Sequence, residues 1–257
     1  MVSSSWASSV ALGGPLVEPK REALVMAPPL SSVLPGGGFP QGAVIELASP
    51  GNLGHGVSVA LAASAASQEE SVRRGGVPSW CAFLDSDRTL FAPAVQASGI
   101  CLGRMLVVRP PRQSLAKVAV RVASSRIFSV IVIDVASVPG ADRSRASSSE
   151  GSHRFESMEA WVKVVRRLSL AVEKTHSTVF LLTKSEAVRE RALPVAMRVE
   201  LEGKAPGRLC VRVAKEKFGR VTSPRQIAWT RPSRSHDEDG DPVALAAVSS
   251  EGGGEFW

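Results

Sequence analysis

Runs of apolar residues alternate with amphipathic stretches through most of the chain. Residues 43–49 (AVIELAS), 80–87 (WCAFLDSD), 105–110 (MLVVRP), 128–136 (FSVIVIDVA) and 178–184 (TVFLLTK) are short and mostly apolar. They read as strands, 43–49 buried on both faces and 178–184 also buried, and continuous β-branched runs such as Val130–Ile133 suit a parallel sheet covered by helices. The intervening stretches 57–74, 89–98 and 113–125 read as helices. A further helix is marked by Met158, Trp161, Val162, Val165, Leu168 and Val172 at three- and four-residue spacing, with Glu159, Lys163, Arg166 and Arg167 off that stripe. Residues 135–156 are polar and read as a loop. Past residue 195 the pattern changes. Residues 196–202, 208–218 and 225–230 alternate apolar with polar and are joined by short turns, which predicts a β-meander with one wet face. The fold class expected is α/β: a mostly parallel sheet flanked by helices, with antiparallel edge strands at the C-terminal end.

The ends of the chain differ from this body. Residues 1–32 are rich in Ser, Ala and Pro and are expected to form a loose arm with at most one short helix; 34–42 is turn material. The folded domain is expected over 33–230. Residues 231–257 hold two basic and six acidic residues, giving −4 against +11 for the rest. Their Pro, Ser, Gly and acids predict a disordered acidic tail. Cys81, Cys101 and Cys210 form no CxxC pair and are expected to be buried thiols, and the four scattered histidines suggest no metal site. No stretch approaches the roughly 18 apolar residues of a membrane span, and no basic segment precedes an apolar one at the N-terminus. The expected location is the cytoplasm. Trp80 and Trp161 are expected in the core; Trp229, at the end of an edge strand, has no clear place.

Candidate chemistry lies where strands end, because ligands of open α/β sheets sit at the carboxyl ends of the strands. The first strand runs into Gly51-Asn52-Leu53-Gly54-His55-Gly56-Val57-Ser58. Its glycines and serine fit the phosphate-binding pattern GxxxxGK[ST], but Val57 takes the place of the lysine. Shifting the register by two residues puts His55 there instead, as a partial phosphate donor or an ordinary loop residue. Without the lysine charge on the β- and γ-phosphates, hydrolysis should be crippled; the same residues also suit a plain strand-to-helix turn. Asp85-Ser86-Asp87 ends the second strand. Asp134 ends the fourth, where a carboxylate would hold magnesium. Arg104, Arg109, Arg112, Arg121 and Arg126 crowd one strand and helix, as a phosphate-binding surface or as a solvated face.

Taken together, these stretches resemble RecA over about residues 34–229. FPQGAVIEL resembles the lead into the RecA phosphate loop, and WCAFLDSD the strand bearing its catalytic glutamate, with Asp87 at that position. FSVIVIDVA resembles the magnesium-binding strand, with Ser152-His153 following in the first DNA-binding loop. TVFLLTK resembles the strand ending in a sensor glutamine, here Lys184. VRVAKEKFG resembles the strand whose paired lysines reach a neighbour's ATP, matched by Lys215 and Lys217. The departures also fall at these positions: no loop lysine, a shorter acid, a lysine for the glutamine, a short second DNA-binding loop, and no large C-terminal domain.

A RecA-like chain of this size with a degenerate loop resembles ImuA, a family that acts with ImuB (a polymerase-like protein) and an error-prone replicative-type polymerase in damage-induced mutagenesis. The resemblance implies a non-catalytic accessory protein of the SOS response and translesion synthesis, binding ImuB and RecA. It implies no catalytic residue, no metal and no cofactor. Gly51, Gly54, His55, Gly56, Ser58, Asp87, Asp134 and Lys184 would be the remnant of the nucleotide site. Lys215 and Lys217, and Phe256 and Trp257 at the chain end, would be partner contacts, as would the N-terminal arm. Two other classes remain open. One is a DNA-dependent ATPase or recombinase, with Lys184 supplying the missing charge; the other is a nucleotide-sensing or cell-division regulator.

Overall fold

The computed structural model describes residues 22–50, 55–135, 158–185 and 192–229. A two-stranded hairpin, β1 (Ala23–Val25) with β2 (Gly38–Pro40), precedes the central sheet. The sheet holds β3 (Ala43–Ser49), β4 (Trp80–Leu84), β5 (Met105–Val108), β6 (Phe128–Asp134), β7 (Thr178–Lys184), β8 (Met197–Ala205), β9 (Arg208–Glu216) and β10 (Arg225–Ala228). Across the sheet the order is β10-β9-β8-β3-β7-β6-β4-β5. All neighbours from β8 to β5 are parallel, whereas β9 and β10 run antiparallel. The strand calls of the sequence therefore stand to within a few residues, as does the switch to an antiparallel edge.

Successive residues of a strand face opposite ways, and here they feed two cores. Ile45 and Leu47, Phe83, Val130 and Val132, Phe180 and Leu182 face α1 (His55–Arg73). Val44, Leu84, Ile131 and Ile133, Val179 and Leu181 face α3 (Leu115–Ser124) and α4 (Met158–Val172). Trp161, Val165, Leu168 and Val172 are all buried, so the stripe read from the sequence is the packed face of α4. The short α2 (Ala92–Ala97) adds Val95 to the α1 side. One charge interrupts the apolar strands. Glu46, 1% exposed, accepts hydrogen bonds from Thr183 Oγ1 at 2.7 Å and Arg198 Nη1 at 3.3 Å, and so ties β3 to both neighbours.

Three expectations are corrected. Residues 22–32 are not a loose arm: Leu24, Met26 and Leu30 are buried in the α1-side core, and the hairpin forms because Gly38 leaves room for the Leu24 carbonyl, into which any Cβ at that position would run. Trp80 is 37% exposed rather than core, since it opens β4 at the rim of the sheet. Of the thiols only Cys81 is buried; Cys210 is half-buried and Cys101 exposed. Burial pushes the Cys81 thiol up to about 11, against hydrogen bonds with Ser129 and Ser64, and leaves it protonated at neutral pH. The arm at 1–21, the loop at 136–157 and the tail at 231–257 lie outside the described residues.

The turn after β9 is organised by Glu216, whose side chain is 4% exposed. Burial would raise this carboxyl, but the Arg220 guanidinium and the backbone N–H groups of Phe218 and Arg220 hold it below the ordinary carboxylate value. A value lower in the folded than in the unfolded chain stabilises the fold fully above the unfolded value, about 4.3. That contribution fades as pH falls through the folded value. Glu216→Gln is therefore expected to lower the melting temperature at pH 7 and to change it much less near pH 3, as read by circular dichroism at both pH values.

Candidate functional site

Every parallel strand presents its carboxyl end on the same rim, and β7 lies between β3 and β6 there. Ser49 of β3 is level with Lys184 of β7, and Asp134 of β6 is level with Leu182. The expected remnants of a nucleotide site thus share one rim: the start of α1, Lys184, Asp134, and Asp87 just beyond β4. Gly51 and Gly54 lie outside the described residues.

The first turn of α1 carries His55, Gly56, Val57 and Ser58. Gly56 lies close against the end of β3; a Cβ there would stand 3.4 Å from Ser49 Oγ and 3.5 Å from a Leu182 methyl. Val57, in the lysine position of the phosphate-loop pattern, packs against the α1-side core. His55 is not an exposed loop residue: it opens the helix and is half-buried, with its imidazole laid over the backbone of Gly203 in β8, where no side chain would fit. Beside it a cavity of about 410 Å³ is lined by His55, Ser58, Lys204, Arg208 and Trp229. This gives Trp229 a place, as one wall of that cavity, with its indole nitrogen buried and no hydrogen-bond partner among the described residues.

The acids of the rim are held by the protein itself. Asp85 is fully buried. It accepts hydrogen bonds from the backbone N–H of Thr89 (2.8 Å) and Leu90 (3.2 Å) and lies 3.5 Å from Arg109 Nε. Thr89 Oγ1 is 3.3 Å from Asp85 Oδ1 and 3.4 Å from Asp134 Oδ2, joining the ends of β4 and β6. Asp87 receives Arg112 Nε at 2.6 Å. Asp87, the acid expected in place of a catalytic glutamate, is therefore bound to a guanidinium. The sequence pointed to Asp87 and Asp134, but not to Asp85 as the organiser or to Arg109 and Arg112 as its neighbours' partners. The available signal was an Asp directly after an apolar strand run, where its carboxylate can take the N–H groups of the turn that follows.

The remaining candidates lie elsewhere. β9 runs antiparallel, so its end, with Lys215 and Lys217, is at the opposite rim. There they border a groove of about 720 Å³ together with Arg166, Glu173 and Glu216. Lys215 Nζ donates to the Leu193 carbonyl at 3.1 Å. Phe256 and Trp257 are outside the described residues. The five arginines do not form one surface: Arg109 and Arg112 are at the carboxyl rim on Asp85 and Asp87, while Arg104 and Arg126 precede β5 and β6 at the amino rim.

The chain is similar to the protein RecA of Desulforapulum autotrophicum, 30% identical over 158 residues. Over that stretch it is RecA-like. The match covers 60% of this chain and 43% of the RecA, so the chain spans less than half the length of that relative. No protein-family model matches it.

Asp85→Ala is expected to destabilise the protein by about 1–3 kcal/mol, because it takes the acceptor from two part-buried hydrogen bonds and the partner from Arg109. Arg112→Ala, whose side chain is 53% exposed, should cost less than about 1 kcal/mol. Urea unfolding of the two variants measures the contrast.

Proposed function

We propose that this chain is a RecA-like accessory protein of DNA repair that works by binding other proteins rather than by turning over ATP. The observation that carries the reading is the apolar packing of Val57 where a phosphate loop needs its lysine. Arg112 on Asp87 supports it further: a carboxylate held by a guanidinium is a poor base for water. These residues do not fit a catalytic magnesium–ATP complex, and no step through one is derived. The similarity to RecA supports a place in DNA repair and recombination. The departures from the phosphate-loop pattern favour the narrower role of an ImuA-type protein in translesion synthesis, in the cytoplasm, with ImuB and RecA as partners and the error-prone polymerase reached through them. A protein-binding role also suits β5. It is an edge strand with Leu106 and Val107 about two-fifths exposed, and a partner's strand can pair with such an edge.

One observation favours a second reading. Lys184 stands level with Ser49, at the rim where α1 begins, and a lysine at that rim supports a phosphate-binding role. A regulator that holds nucleotide without hydrolysing it would use it so, and Lys184→Ala would then abolish nucleotide binding.

The deciding experiment is ATP turnover by the full chain with and without single-stranded DNA, together with co-purification of RecA and ImuB from DNA-damaged cells. No turnover and recovery of both proteins is the expected result. Turnover that DNA stimulates and Asp134→Ala removes would overturn the proposal in favour of a motor.

A further inference from the structure

From Arg88 to Ile133 the chain has seven lysines and arginines and not one aspartate or glutamate. The fold uses two of these cations internally, Arg109 on Asp85 and Arg112 on Asp87. Others are left on one continuous surface. Lys117 and Arg121 are one turn apart, about 6 Å, on the exposed face of α3, opposite its buried Leu115, Ala119 and Ala123. Ser124 follows on the same face. The helix then ends, and Arg126 turns the surface onto the amino rim of the sheet. There Ile127, 61% exposed, adjoins Trp80, the register neighbour of Phe128. The Arg104 guanidinium lies over the Trp80 ring, 5.3 Å from its centre. Across the starts of β6, β4 and β5 the rim thus reads cation, apolar side chain, exposed indole, cation.

Arg126 adds an independent sign. It adopts a left-handed conformation, φ 57°, at the residue after the cap of α3, where glycine is favoured because a side chain is strained. Lys174 repeats this after α4, φ 60°, just before β7. Two neighbouring helix ends therefore carry a cation where a glycine would be more stable, and such retained strain points to function. Several carboxylates near this rim are taken up by cations of their own, Glu216 by Arg220 among them. Glu70 is bound by Arg73 and Arg74, Glu22 by His176, and Glu173 adjoins Lys174.

We propose that the outer face of α3 and the adjoining amino rim, from Lys117 through Arg121 and Arg126 to Trp80 and Arg104, bind single-stranded nucleic acid. The cations take the phosphates, and a base stacks with the part-exposed pair of Trp80 and Arg104. This surface is at the opposite rim from the remnant nucleotide site and does not depend on the accessory reading. The exposed ring favours nucleic acid over an acidic protein, which would need the cations alone.

The test is fluorescence anisotropy of a labelled oligo-dT of about 20 nucleotides, without ATP, over a salt series. Four phosphates neutralised predict a log–log salt slope of about −3. Trp80→Ala should weaken binding about tenfold and leave the slope unchanged. Lys117→Ala with Arg121→Ala should weaken binding and flatten the slope. Arg126→Gly should melt at a higher temperature yet bind less well, a pairing that a purely structural arginine would not produce. Absence of binding at low salt would overturn the proposal, as would binding that these variants leave intact. Equal competition by polyglutamate with no effect of Trp80→Ala would assign the surface to an acidic protein instead.

Discussion

Burial of the parallel strands on both faces is the constraint from which the rest follows. β3, β6 and β7 have no wet face, so nearly every polar group of the sheet must lie at one rim or the other. Glu46 is the exception, and it is tolerated because Thr183 and Arg198 satisfy it from the strands on either side. An ion pair of this kind does little for net stability, but it penalises any shift of β8 against β3, since a displaced register would leave a bare charge in the core. The central strand is thus fixed between β7 and β8, and with it the relative height of Ser49, Lys184 and Asp134.

The two rims have diverged. At the carboxyl rim the acids are retained, but they are tied to neighbouring side chains: Asp85 to the start of the α2 segment and Arg109, Asp134 to Thr89, Asp87 to Arg112. In such a rim the arginines set positive charge beside the carboxylates from within the chain. At the amino rim the helices end, and the partial negative charge of helix C-termini favours cations there. That effect accounts for basic residues near helix ends in general. It does not account for the left-handed Arg126 or for the part-exposed Trp80 indole beneath Arg104.

Much of this was legible in the chain because the runs of Val, Ile, Leu and Phe are long enough to specify two-sided burial, and the change to alternation after residue 195 marks the antiparallel edge. The hairpin at Ala23–Val25 was not legible, because three residues among Ser and Pro carry no period. Trp80 was misplaced for a related reason: it begins an apolar run, and only the register shows that the run starts at the rim. The arginines illustrate a third limit. Their closeness in sequence suggested one surface, but a strand carries the chain from one rim to the other within a few residues. Arg104 and Arg109 flank β5 and so end at opposite rims.

A strand with a cation at each end serves both rims at once. Arg109 neutralises a buried acid at one end, and Arg104 covers an aromatic ring at the other. The two rims are separated by the length of the strands, so side chains at one can differ in chemistry from those at the other without repacking the core between the sheet and its helices.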